Sequence, residues 1–202
     1  KSRKKYFILC EGYMDVISMH QAGFTNAVAS LGTALTEEQC RLLKRYVGEI
    51  LLTYDSDGAG IKAAKRAMPM LKAVGIQSKV INMKPYKDPD EFIKTLGQEA
   101  FQERIDQAQN SFLWLIDVMK LDYDLKDPAG MTAYTNAAAE KLSEIPEAIE
   151  RENYIQAVAR EQMIDVNALR RLVNTVGEQR ARRNSPLNEK VYPSTTFMPR
   201  TN

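Results

Sequence analysis

The chain has 202 residues, enough for one large or two small domains, and its 44% hydrophobic and 27% charged content suits a soluble protein with a real core. Two cysteines without CxxC spacing and a single histidine, His20, exclude a cysteine-rich zinc site or a histidine-based metal site within it, and no apolar run approaches the roughly 18 residues of a membrane span. The net charge of +2 is unevenly divided: residues 1–97 carry 15 Lys/Arg against 10 Asp/Glu, residues 98–179 carry 8 against 15, and residues 180–202 carry 5 against 1.

The start, Lys1 to Lys5, leads straight into a strand-like run with no signal-peptide pattern, and two unpaired cysteines fit a reducing cytoplasm. Tyr6 to Cys10 reads as a buried strand. Met14 to Ala22 has helical apolar spacing and stops at Gly23; on that helix His20 reads as a surface residue. Ala27 to Ala29 is a short strand. Thr36 to Tyr46 is a helix opened by Thr36 with Gln39 three residues on. Ile50 to Tyr54 is a second strong strand. Ala59 to Val74 is a helix that Pro69 should kink or shorten, Gly75 ends it, and Lys79 to Met83 is a strand. Strands alternating with helices predict a mainly parallel sheet with both faces covered.

After about Phe92 the strand signal disappears. Residues 98–108, 111–121, 128–144, 146–162 and 166–178 all read as helices, with Asp127 and Asp165 as starting caps, so a small all-α bundle should follow the sheet. Phe112 and Trp114 have core spacing and read as packing residues. From Gln179 a basic and then Pro/Ser/Thr-rich stretch reads as a linker or disordered tail. The expected organisation is 1–97, 98–178 and 179–202.

Acidic groups fall where three strands end. Glu11 follows the first strand, with Gly12 behind it and Asp15 one helical turn on. Asp55 and Asp57 follow the strand 50–54, with Gly58 and Gly60 opening a helix. Asp88, Asp90 and Glu91 follow the strand 79–83. In an open parallel sheet the carboxyl ends of the strands share one edge, so these acids converge. Two carboxylates about 4 Å apart repel by about 4 kcal/mol at an effective dielectric of 20, and a hard cation such as magnesium relieves that cost. Each acid has a structural reading as well. Asp88 before Pro89 suits a helix N-cap, Asp57 does too, and Asp15 could be a solvated helix residue. Glu11, between a buried strand and a glycine, is poorly explained by solubility alone. Acids set in a basic segment suit a site for metal and polyanion together.

These strings resemble a known family. Glu11-Gly-Tyr-Met-Asp15-Val, Ala29-Ser-Leu-Gly-Thr33-Ala-Leu-Thr36, Tyr54-Asp-Ser-Asp57-Gly-Ala-Gly60 and Asp88-Pro-Asp90 occur in the order and spacing of the Toprim domain of bacterial DnaG-type primases. The glutamate and Asp-x-Asp motifs are generic to Toprim, whereas the strings around Glu11, Ser30 and Asp88 are more specific to primases. The resemblance covers residues 1–97 through motifs and the helical part to about 178 more loosely. It implies an α/β fold, a Toprim-type mainly parallel sheet with flanking helices followed by a small helical subdomain. It implies RNA primer synthesis on single-stranded DNA by two-metal nucleotidyl transfer. Asp55, Asp57 and Asp88 match metal-ligand positions. Glu11 matches the Toprim glutamate, a ligand or general acid/base, and Asp15 and Asp90 match further acids of the cluster. Magnesium is the implied ion, with manganese able to substitute.

Lys62, Lys65 and Arg66 share one helix face and could hold nucleic-acid or nucleotide phosphates, or simply form a solvated face. The loop of Ser30, Gly32 and Thr33 could meet substrate or be a tight turn. The implied partners are a single-stranded DNA template, nucleoside triphosphates, the RNA primer and a replicative helicase, with no membrane. A monomer in the bacterial cytoplasm, associated with the nucleoid, is expected. Family members carry an N-terminal zinc domain, a basic N-terminal part of the polymerase and a C-terminal helicase-docking domain, all expected to lie outside this chain, with zinc confined to the first. Competing readings are another Toprim enzyme, a nuclease or topoisomerase acting on DNA phosphodiesters, and a non-catalytic docking module.

Overall fold

The computed structural model of the chain describes residues 5–30, 34–54 and 58–183. The chain divides into two compact units, Lys1–Val118 and Met119–Asn202.

The first unit is built on a five-stranded sheet of order β2-β1-β3-β4-β5. Its strands are β1 (Tyr6–Cys10), β2 (Ala27–Ala29), β3 (Glu49–Leu52), β4 (Gln77–Val80) and β5 (Gln109–Asn110). The first four are mutually parallel and β5 is antiparallel to β4. Helices α1 (Tyr13–Gln21), α2 (Glu37–Lys44), α3 (Gly58–Ala73) and α4 (Pro89–Asp106) link and cover the strands. The strand period of two sends successive residues to opposite faces. Leu9, Ile50 and Leu52 join a core with Cys40 of α2 and Ala64, Ala67 and Leu71 of α3. Ile8, Cys10 and Leu51 join a second core with Met19 of α1 and Phe92, Phe101 and Ile105 of α4. Burial on both faces is why β1 and β3 read as unbroken apolar runs.

Local signals fix the helix ends. Thr36 Oγ1 accepts from the Gln39 N–H at 3.2 Å and Gln39 Oε1 accepts from the Thr36 N–H at 3.0 Å, the reciprocal cap expected from the sequence. α1 and α3 end on Gly23 and Gly75, at φ of +91° and +74°, a conformation that costs a Cβ-bearing residue energy. Cys10 and Cys40 are buried free thiols, His20 is exposed, and Trp114 packs against the first core.

Several boundaries differ from expectation. β4 starts and ends earlier than 79–83, because Ile81 and Met83 turn into the second core after the strand has ended. Pro69 neither ends nor shortens α3, which continues to Ala73. The unit boundary falls at Val118/Met119 rather than 97/98. α4 runs across that point, broken only at Gly97 (φ +81°), and its second half returns Phe101 and Ile105 to the sheet. The two-residue β5 is too short to leave an alternating pattern.

The second unit packs α6 (Pro128–Ser143), α7 (Ala148–Glu161) and α8 (Val166–Arg183) on one another. Tyr134, Ala138, Leu142, Ile155, Val158, Leu169 and Val173 are among its buried side chains. Asp127 and Asp165 cap as expected, accepting from Gly130 N at 3.1 Å and Ala168 N at 2.7 Å. Glu152 and Arg170 join α7 to α8 through two hydrogen bonds, at 2.9 and 2.5 Å. α5 (Ser111–Met119) precedes this bundle. α8 continues past the expected tail start at 179 to Arg183, and 184–202 lie outside the described residues. Among the described residues no helix is long and apolar enough to cross a membrane.

Candidate active site

The central pair of strands builds the site. Leu9 of β1 lies opposite Leu52 of β3, and Thr53 extends the ladder by giving its N–H to Leu9 O at 3.0 Å. The next residues out, Glu11 and Tyr54, therefore leave the carboxyl edge side by side. Ser30 N donates to Cys10 O at 3.3 Å and brings the end of β2 to the same edge. Glu11 is half-buried and its Oε1 is buried. Tyr54 is buried, and burial pushes its hydroxyl well above the usual phenol range. The Glu11 charge adds to that rise and a hydrogen bond with Ser30 opposes it. Asp55 and Asp57 follow Tyr54 directly and, with Gly32 and Thr33, lie outside the described residues.

A second group of acids forms where α1 meets α4. Asp15, 8% exposed, accepts from the Gly12 N–H at 3.2 Å. Burial raises its carboxyl above the ordinary value. The charges of Asp88 and Asp90 raise it further, while N–H bonds from Gly12 and Asp90 work the other way. Asp88 caps α4, its Oδ1 accepting from Glu91 N at 2.8 Å, so the capping reading holds while its charge still reaches Asp15. Asp90 accepts from Ser18 Oγ of α1 and from Lys94 Nζ, the latter at 2.6 Å. Lys94 first and then Ser18 hold its carboxyl below the usual range.

On the other side of β1 and β3, a cavity of about 320 Å³ is lined by Glu11, Ser30, Tyr54, Lys62, Arg66 and Met70, among others. Lys62 and Arg66 are one turn apart on α3, whose N-terminus opens just beyond the end of β3. Lys65 is half-buried and does not line this cavity. The edge thus has an acidic side on α1 and α4 and a cationic side on α3, with Glu11 between them.

The donor set suits a hard divalent ion. Every candidate ligand is a carboxylate, and Asp15 stands against the charges of two neighbouring acids. Among the described residues no three His, Cys, Asp or Glu side chains group closely enough to hold an ion by themselves. Sequence reasoning missed Tyr54, Ser18 and Lys94. The i to i+4 spacing of Asp90 and Lys94, and Ser18 one turn after Asp15, were the available signals.

Comparison with known proteins agrees with this fold. Residues 8–93 match a family model described as Toprim-like, and residues 112–167 match one described as the DnaB-helicase binding domain of primase. The second match revises the expectation that helicase docking lies wholly outside this chain. A DNA primase of Clostridium acetobutylicum is 38% identical over 168 residues, covering 83% of this chain and 28% of that protein. The chain spans between 27 and 30% of the length of the first five curated relatives it matches. A DNA primase domain from Pseudomonas aeruginosa superposes with a TM-score of 0.67 at 30% identity, over 87% of this chain and 55% of that one. A DnaG primase catalytic domain bound to ssDNA also gives 0.67 at 30% identity, over 83% of this chain and 54% of that one. A Toprim-like sheet with acids at its strand ends, followed by a primase-type helical segment, identifies the chain as a member of the bacterial DNA primase family of the DnaG type.

Proposed function

We propose that this chain is the metal-binding part of a DNA-directed RNA polymerase that makes RNA primers on single-stranded DNA in the bacterial cytoplasm. The observation that carries this reading is the two-sided edge, with Asp15, Asp88 and Asp90 together on one side and, on the other, a cavity lined by Glu11, Lys62 and Arg66. Glu11, Asp15, Asp55, Asp57, Asp88 and Asp90 are the residues that would hold divalent ions, magnesium with manganese as a substitute. Such ions, when bound, make a 3′-hydroxyl a better nucleophile and offset charge on the triphosphate and the departing pyrophosphate.

The chain's own groups do the positioning. Lys62 and Arg66 face the cavity and suit phosphate oxygens, with Lys65 on the same helix as a further cation. The hydroxyls of Ser30 and Tyr54 stand at the cavity wall, and the N-terminus of α3 adds backbone donors and a favourable dipole for an anion. Glu11, in the wall of the same cavity, is the group that can accept a proton at the reacting end. The loop of Ser30, Gly32 and Thr33 is proposed to touch nucleotide or template. Residues 112–167 are proposed to contact a replicative helicase, on the strength of the family match.

The test is a chimaera in which this chain replaces its matching 168 residues in the Clostridium acetobutylicum DNA primase. With single-stranded DNA, nucleoside triphosphates and magnesium it should make RNA primers, and Glu11→Gln should cut the yield by on the order of 100-fold or more. Magnesium-dependent cleavage of DNA without nucleotides, in place of primer synthesis, would identify a nuclease of the same fold instead.

A further inference from the structure

Asp90 is tied down at both oxygens. Its Oδ1 accepts from Ser18 Oγ, seventy-two positions away on α1, and its Oδ2 accepts from Lys94 Nζ at 2.6 Å, one turn along α4. Ser18 is buried, 7% exposed, and stands one helical turn after Asp15 on α1. The Asp90 N–H in turn bonds the Asp15 carboxylate. Asp88, two residues earlier, caps the same first turn of α4. Asp15 and Asp90 thus meet at one joint between two helices, beside the cap that holds Asp88, and the side chains that hold Asp90 there, Ser18 and Lys94, are not acids.

We propose that Ser18 and Lys94 are positioning residues of the metal site: together they hold the Asp90 carboxylate, and with it the first turn of α4, so that Asp15, Asp88 and Asp90 face one another at the sheet edge. This rests on the metal reading given above. The Lys94 ammonium has no lone pair for a cation, and the Ser18 hydroxyl is directed at Asp90 Oδ1, so both act on the carboxylate. Their effect reaches the ion through Asp90, as outer groups orient carboxylates in metal sites generally. Lys94 also carries the sharper signature. Its ammonium repels a cation, so a purely electrostatic role makes its removal tighten metal binding, whereas a positioning role makes its removal weaken it.

Manganese titration of the whole chain, read by electron paramagnetic resonance, tests this with thermal melting recorded on every variant. Ser18→Ala and Lys94→Met should each weaken manganese binding roughly 10-fold with the number of ions unchanged. Lys94→Arg should restore most of the affinity. In an Asp90→Ala background, Ser18→Ala should add no further loss, because its only route to the ion is gone. Ser18→Ala within twofold of wild type, or Lys94→Met binding manganese more tightly, overturns the proposal while leaving the metal site standing. Wild-type chain that takes up no manganese overturns the metal reading itself, and this inference with it.

Discussion

Asp15 gives the residue scale its clearest pH signature. Burial, and after it the charge of Asp88, pushes its carboxyl above the ordinary range. A carboxyl raised on folding binds more protons folded than unfolded, so its ionisation costs stability. That cost grows as pH rises from the unfolded value of about 3.9 through the folded one. Asp15→Asn should therefore be more stable than wild type at pH 7 without metal, and the difference should vanish below about pH 4. Urea unfolding at the two pH values measures it. Saturating manganese should reverse the order at pH 7, since a bound cation favours the ionised form. At this scale the sequence was readable where partners are near in the chain. Thr36 with Gln39, and the caps Asp88, Asp127 and Asp165, all rest on spacings of three residues. The Ser18–Asp90 bond was not readable, because only the packing of α1 on α4 brings those residues together.

At the scale of elements, three helices end in the same way. After α1, α3 and α7 the chain passes through a left-handed residue and returns its next N–H to the carbonyl five positions back: Phe24 to Met19, Ile76 to Leu71 and Ile164 to Ala159. Gly23 and Gly75 take the left-handed position in the first two, but Met163 takes it in the third, at φ +54° and 94% exposed. A side chain there costs roughly 1 kcal/mol and gains nothing from burial. Met163→Gly should raise stability by about that amount, seen as a melting temperature higher by several degrees. The glycine stops were legible because glycine announces the turn, and the stop at Met163 was not announced. α8 outran its expected end for a related reason. Its last residues, Gln179 to Arg183, are good helix formers with cations suited to a helix C-terminus, although their polarity resembles a tail.

At the scale of the whole molecule, the parallel sheet was legible because β1 and β3 are apolar on both faces and helices separate the strands. The unit boundary was not, because nothing in the helical periodicity of α4 marks that Phe101 and Ile105 return to the sheet. The site follows from the sheet order. With β1 and β3 adjacent and parallel, Glu11 and Tyr54 leave the same edge, whatever their separation in sequence. Asp55 and Asp57 come next in the chain, and under the proposed function they belong to the metal site, so neutralising them should disable it. Manganese titration of the chain by calorimetry, beside an Asp55→Asn/Asp57→Asn variant, tests this most directly. Saturable binding that the variant loses is the predicted result. No binding to the wild type, or equal binding to both, would contradict a metal site at the strand ends.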